Sequence, residues 1–200
     1  MNYRQIINEL FTISILLAFF SCNYSSRRND VNRKEVGRNG LIEVTIQSSR
    51  YDSAYQEASA LLQENNTSEA ISIYDRLCKI ENDSLKTFSF MGLASAYVMA
   101  GDYENAIENY NTSIRFNSKN VDSYVGLGST YSRLGDYRKS IENYNNAKNL
   151  NPNSADCYWG LALTYYELNF KDSAKVYAKQ FIELEPQSKY RYLAEKIIAK

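Results

Sequence analysis

The chain has 200 residues, with 23 Lys plus Arg against 23 Asp plus Glu, so its formal net charge is zero. Its length suits one domain or one short array with a real core, and the balanced charge supplies no global field for nucleic acid or acidic substrates. Histidine is absent, which removes the commonest general base and the commonest metal ligand together.

The chain opens MNYRQIINELFTISILLAFFSC, with Arg4 and the terminal amine as a modest positive end and a mainly apolar run from Leu10 to Phe20. That run is too short to cross about 30 Å of hydrocarbon comfortably as a helix, but it has the length of a signal-peptide core. Small Ser21 stands just before Cys22. The stretch resembles the lipobox of bacterial lipoproteins, although Phe19 replaces the family's usual Leu and Glu9 lowers the charge of the leading segment. The resemblance implies that residues 1–21 are a removed signal peptide and that Cys22 carries the acyl chains, palmitate among them. Each buried methylene then adds about 0.8 kcal/mol to membrane anchoring. Asn23 after the cysteine does not argue for inner-membrane retention under the family's sorting rule, so the expected location is a bacterial cell envelope, the periplasmic face of the outer membrane in first place. The other reading is an uncut inner-membrane anchor with the repeats in the cytosol and Cys22 as an ordinary thiol.

Residues 22–50 read as a polar tether, with six Arg or Lys against three acids between Asn23 and Arg50. Such a composition buries too little to order itself. Within it, 41–47 (LIEVTIQ) alternates briefly and suggests a short strand.

From residue 51 the pattern turns helical and repetitive. GDYENAIENY at 101–110 returns as GDYRKSIENY at 135–144, thirty-four residues later. The first helices of three units read FMGLASAY (90–97), YVGLGSTY (124–131) and YWGLALTY (158–165), each followed by a second helix with a small residue at Ala106, Ser140 or Ala174. Pro152 and Pro186 close two of the units. Tyrosine is in excess, 18 residues, and it suits helix seams because it joins an apolar ring to a polar tip. Small residues at Ala94, Gly128 and Ala162 and at Ala106, Ser140 and Ala174 are expected to let the two helices of each hairpin approach. The aromatics would fill the seams between hairpins, so that each unit buries its face only by stacking. Gly101-Asp102 and Gly135-Asp136 predict a left-handed helix end followed by a capped helix start.

This pattern resembles the tetratricopeptide repeat, which is 34 residues long and reads aromatic-x2-Leu-Gly-x2-Tyr, then Ala-x3-Phe, then Pro. The resemblance implies an all-α, right-handed superhelical solenoid of helix-turn-helix hairpins. Units are expected at about 51–84, 87–120, 121–154 and 155–188, with a longer turn around Glu81 to Ser84 and a capping helix at 189–200. It further implies a concave groove lined by the first helices. Carried over by position, that groove comprises Tyr55, Met91, Val125 and Trp159 at the fifth position, Phe88, Asp122 and Asp156 at the second, and Tyr166 and Arg133 near the helix ends. Trp159 and Tyr166 are its expected anchors. At helical spacing Met91, Val125 and Trp159 can equally be core. Gly92, Gly126 and Gly160 can serve either close helix packing or the approach of a ligand backbone. They stand where chaperone-binding members carry the Asn of a carboxylate clamp, so that kind of partner is not expected.

Cys78 and Cys157 have two whole units between them, which puts them beyond the roughly 7 Å that a disulfide allows between Cα atoms. No carboxylate pair stands at catalytic spacing, and the sequence has neither a glycine-rich phosphate loop nor a Cys or His metal cluster. The reading is therefore a non-catalytic scaffold without cofactor or metal, which binds protein or peptide partners and not nucleic acid. A self-associating, mainly structural array is the alternative.

Overall fold

The computed structural model describes the backbone of residues 38–199 and the side chains of 49–199. Nine helices, and no strands, form among these residues: α1 (Arg38–Gln63), α2 (Thr67–Leu77), α3 (Asp83–Ala100), α4 (Tyr103–Phe116), α5 (Val121–Leu134), α6 (Tyr137–Leu150), α7 (Ala155–Glu167), α8 (Lys171–Leu184) and α9 (Arg191–Ile198). Successive pairs make four antiparallel hairpins, and α9 packs chiefly on α8. The expected all-α solenoid with a terminal helix is what the chain forms.

Local chemistry sets the helix ends. Gly101 and Gly135 end α3 and α5 at φ 80° and 78°, in the left-handed region that glycine enters freely. Asp102 and Asp136 then accept the backbone N–H of Asn105 and Lys139, each at 3.2 Å, and start α4 and α6. Asn82 and Asn120 cap α3 and α5 in the same way, at 3.0 and 2.9 Å.

Two expectations are corrected. The strand over 41–47 does not form, because those residues lie on α1, which begins at Arg38. Extending a helix already nucleated by the packed turns 51–63 adds one hydrogen bond per residue, whereas a strand needs a partner, and none exists among the described residues. The longer turn at 81–84 is mostly helix as well: α3 starts at Asp83 under the Asn82 cap, so the extra residues lengthen the helix.

The hairpins stack through one device used three times. Tyr74, Tyr110 and Tyr144, on α2, α4 and α6, are buried. Each ring enters a notch in the next hairpin's first helix, where a Cβ on Gly92, Gly126 or Gly160 would lie closer than 3.0 Å to it. The Tyr74 and Tyr110 hydroxyls also meet Ser59 and Ser95 of their own hairpins, both at 2.8 Å. The interior glycines therefore serve helix packing, with a neighbour's ring in the space left by the missing side chain. Hydroxyl pairs fix the register across the seams: Tyr51 with Ser89 at 3.1 Å, Ser113 with Ser123 at 2.8 Å and Ser140 with Thr164 at 3.1 Å. The expected small positions Ala94, Ala106, Ser140, Ala162 and Ala174 are all fully buried, and Gly128 leaves a Cβ only 2.9 Å from the Tyr144 ring.

Candidate functional site: the first-helix face

The first helices α1, α3, α5 and α7 pack on one another along the array, and the second helices do so less. The face made by the first helices is therefore the inner one.

The residues carried over to that face divide into two groups. Met91 and Trp159 are core, each 3% exposed. Trp159 lies between Phe181 and Tyr190, with ring centroids 5.0 and 5.6 Å away, and its indole N–H is buried without an acceptor. It belongs to the cluster sealed by α9 through Ala194 and Ile197, and this corrects its reading as a surface anchor. The physical reason is the capping helix, which covers the last hairpin as a further first helix would. Tyr55, Phe88, Val125, Tyr166, Asp122, Asp156 and Arg133 are half-buried and keep part of their surface in water. Tyr55 leans on Tyr51 at 5.9 Å and edge-on to Tyr74 at 5.3 Å, so one of its sides is committed to packing. Phe88 packs against the cluster of Met91, Val98 and Tyr110.

Charge converges at the seam between the third and fourth hairpins. Asp122 and Asp156 hold the same position on α5 and α7, and Glu185 follows α8. Burial first, then the fields of Glu185 and Asp122, push the Asp156 carboxyl up to about 6. Arg133 contributes the opposite sign to the buried Tyr110 and Tyr144 hydroxyls nearby. The sequence reading did not include Glu185, because nothing in the linear pattern says that a residue after α8 faces the start of α7.

Cys78 and Cys157 are free and buried. Burial pushes their thiols up to about 12 and about 11, which keeps them protonated and unreactive. Among the described residues no group of acids or cysteines is arranged to hold a metal.

The spacing of the Tyr and Gly notches, the capped turns and the stacked first helices can now be set beside known proteins. Family models for the TPR repeat match residues 94–135 and 128–169, and one for the tetratricopeptide repeat matches 155–188. Together these matches span residues 94–188, where the chain is similar to the tetratricopeptide repeat. The first hairpin and α9 lie outside the matched stretch. No curated protein matches the chain significantly. Among solved structures it is similar to TTC0263, a thermophilic TPR protein of Thermus thermophilus, with TM-score 0.62 and 18% identity over 74% of this chain and 79% of that one. MamA gives TM-score 0.58 and 20% identity over 71% and 90% of the two chains. YrrB, described as a TPR protein with an unusual peptide-binding site, gives 0.58 and 16% over 76% and 78%. At these identities the common property is the repeat fold, and a fold does not name a function or a partner.

Proposed function

We propose that this protein is a non-catalytic scaffold that holds a peptide or helix of a partner protein against its first-helix face, tethered through a lipidated Cys22 to a bacterial envelope membrane. The observation that carries the groove reading is the row of half-buried side chains on that face, Phe88, Val125 and Tyr166 with Asp122 and Asp156 beside them. Each of these side chains keeps part of its surface in water, and the carboxylates give the row a sign. A partner segment with apolar residues and one or two basic side chains suits it. YrrB, of similar fold, is described as a TPR protein with an unusual peptide-binding site, so a peptide is a class of partner that this fold can hold.

The tether reading rests on the FFSC stretch ending at Cys22. Residues 1–37, with the signal peptide, Cys22 and most of the tether, lie outside the described residues. No helix among the described residues is long and apolar enough to cross a membrane. Metabolic palmitate labelling tests the anchor: incorporation should vanish in Cys22→Ala, and a wild-type chain that takes up no label would overturn it.

The groove is tested by crosslinked pull-down from native membranes with Asp122→Lys/Tyr166→Ala, which spares the buried Trp159. Partners should disappear from the variant while its helicity and melting temperature hold. The same proteins recovered with both chains would remove the groove from the proposal.

A further inference from the structure

The repeats act as internal controls for one another. On their second helices the second and third hairpins carry Glu108-Asn109 and Glu142-Asn143, and at the same register the fourth carries Val176-Tyr177. Val176 is 54% exposed, an apolar side chain in water that the two sister hairpins fold without. The helix start departs as well. Where Asp102 and Asp136 cap α4 and α6, Phe170 precedes α8 with no side-chain cap and 59% of its surface exposed. A missing cap costs about 1 kcal/mol, so stability does not explain Phe170.

These departures join into one surface. Phe170 meets Tyr165 edge-on at 6.4 Å, Tyr165 stacks on Tyr177 at 5.5 Å with planes 6° apart, and Tyr177 lies 6.4 Å from Tyr158. The Tyr158 hydroxyl donates to the Pro152 carbonyl at 2.8 Å, which fixes that ring as a wall. Tyr158, Val176, Tyr177 and Lys148 line an open pocket of about 440 Å³ between α6 and α8. Lys148 is the one charged side chain among the described residues lining it, with Nζ 5.2 Å from the Tyr177 centroid. Ile114 holds the corresponding place one hairpin earlier. The fourth hairpin has thus lost the glutamate of its sisters and gained aromatic area, and the third hairpin faces it with a cation on α6.

We propose that this pocket is a second docking site, on the second-helix side of the array, for an extended polyproline-type segment of a partner protein that carries an acidic side chain. Aromatic-lined grooves suit such segments because they arrive already ordered and offer flat apolar rungs to the rings. The rings supply rigid contact area at small entropic cost. Lys148, with no acid in the wall to neutralise it, selects for a carboxylate and orients the segment more than it tightens it.

The test titrates the full chain, in detergent, with two synthetic proline-rich decapeptides, one flanked by glutamates and the other by lysines, followed by calorimetry. The glutamate-flanked peptide should bind about tenfold more tightly, a difference of about 1.4 kcal/mol, and Lys148→Glu should reverse the preference. Val176→Glu/Tyr177→Asn, which restores the pair on which hairpins two and three fold, should weaken binding about tenfold with helicity unchanged. Asp122→Lys/Tyr166→Ala on the other face should leave it intact. Four results overturn the proposal: no binding of either peptide by the wild type, equal binding of both, binding undiminished in Val176→Glu/Tyr177→Asn, or loss caused by the first-helix variant. Lys148→Glu alone decides the matter should Tyr177 prove necessary for folding.

Discussion

A methyl group added at Gly126 would enter the buried ring of Tyr110. Helix propensity alone favours alanine there by about 1 kcal/mol, but Tyr110 is 0% exposed, so its ring would have to shift within the core. Overpacking of this kind costs about 1–3 kcal/mol, so Gly126→Ala should lower the melting temperature. The same change in a Tyr110→Leu background should be neutral or stabilising, and a double-mutant cycle by thermal melts measures the coupling. Asp156 gives a second test at this scale. Its folded pKa is raised from 3.8 to about 6 by burial and by Glu185 and Asp122, so between those values the folded chain holds a proton that the unfolded chain has released. Stability therefore falls as pH rises through that window and is flat above it. Asp156→Asn should be more stable than wild type at pH 7 and indistinguishable from it below about pH 4, as read from melting temperature against pH.

Single helices show where the repeat is kept and where it is given up. α4 and α6 start on an aspartate cap, whereas α8 starts on Phe170 without one. Phe170→Asp should recover about 1 kcal/mol, visible as a higher denaturant midpoint with an unchanged slope. The same variant removes one ring from the aromatic surface. A gain in stability joined to a loss of peptide binding would show that the fourth hairpin gives up stability for recognition. α1 contributes a different lesson: its first thirteen residues, 38–50, are helical although their composition is that of a tether. Composition reports what a segment can bury, whereas the helix that follows decides whether it propagates.

Taken as a whole, the array is ended deliberately on both sides. The tyrosine-and-glycine notch occurs at each seam between hairpins, but the first hairpin has exposed Gln56 where the glycine would stand, and the last has Ala178 where the ring would stand. A further hairpin cannot add by the same lock at either end. α9 instead lays Ala194, Ile197 and the preceding Tyr190 over Trp159, Ala178 and Phe181, the covering that a terminal repeat requires for solubility. A chain stopped after Ser188 should leave Trp159 and Phe181 in water. It should bind a hydrophobic dye, and its melt should split, with the fourth hairpin lost first. A single unchanged transition would mean that α9 is dispensable.

Much of this protein was legible in the chain itself. The period of thirty-four, the Gly-Asp turns and the alternation of small and aromatic residues determined the hairpins and the solenoid, because each of these signals acts through local sterics or nearest-neighbour stacking. Tyr74, Tyr110 and Tyr144 even stand in one-to-one correspondence with Gly92, Gly126 and Gly160 in the sequence, although their union is visible only once the hairpins stack. Tertiary structure alone decided which first-helix residues remain at the surface. Trp159 and Tyr166 look equivalent as aromatic positions on one helix, and α9, more than twenty residues further on, buries the first and leaves the second half-exposed. The approach of Glu185 to Asp156 and the joining of Phe170, Tyr165, Tyr177 and Tyr158 have the same origin. Burial and electrostatic field are set by everything that surrounds a side chain, and a repeat pattern specifies only the neighbours that repeat.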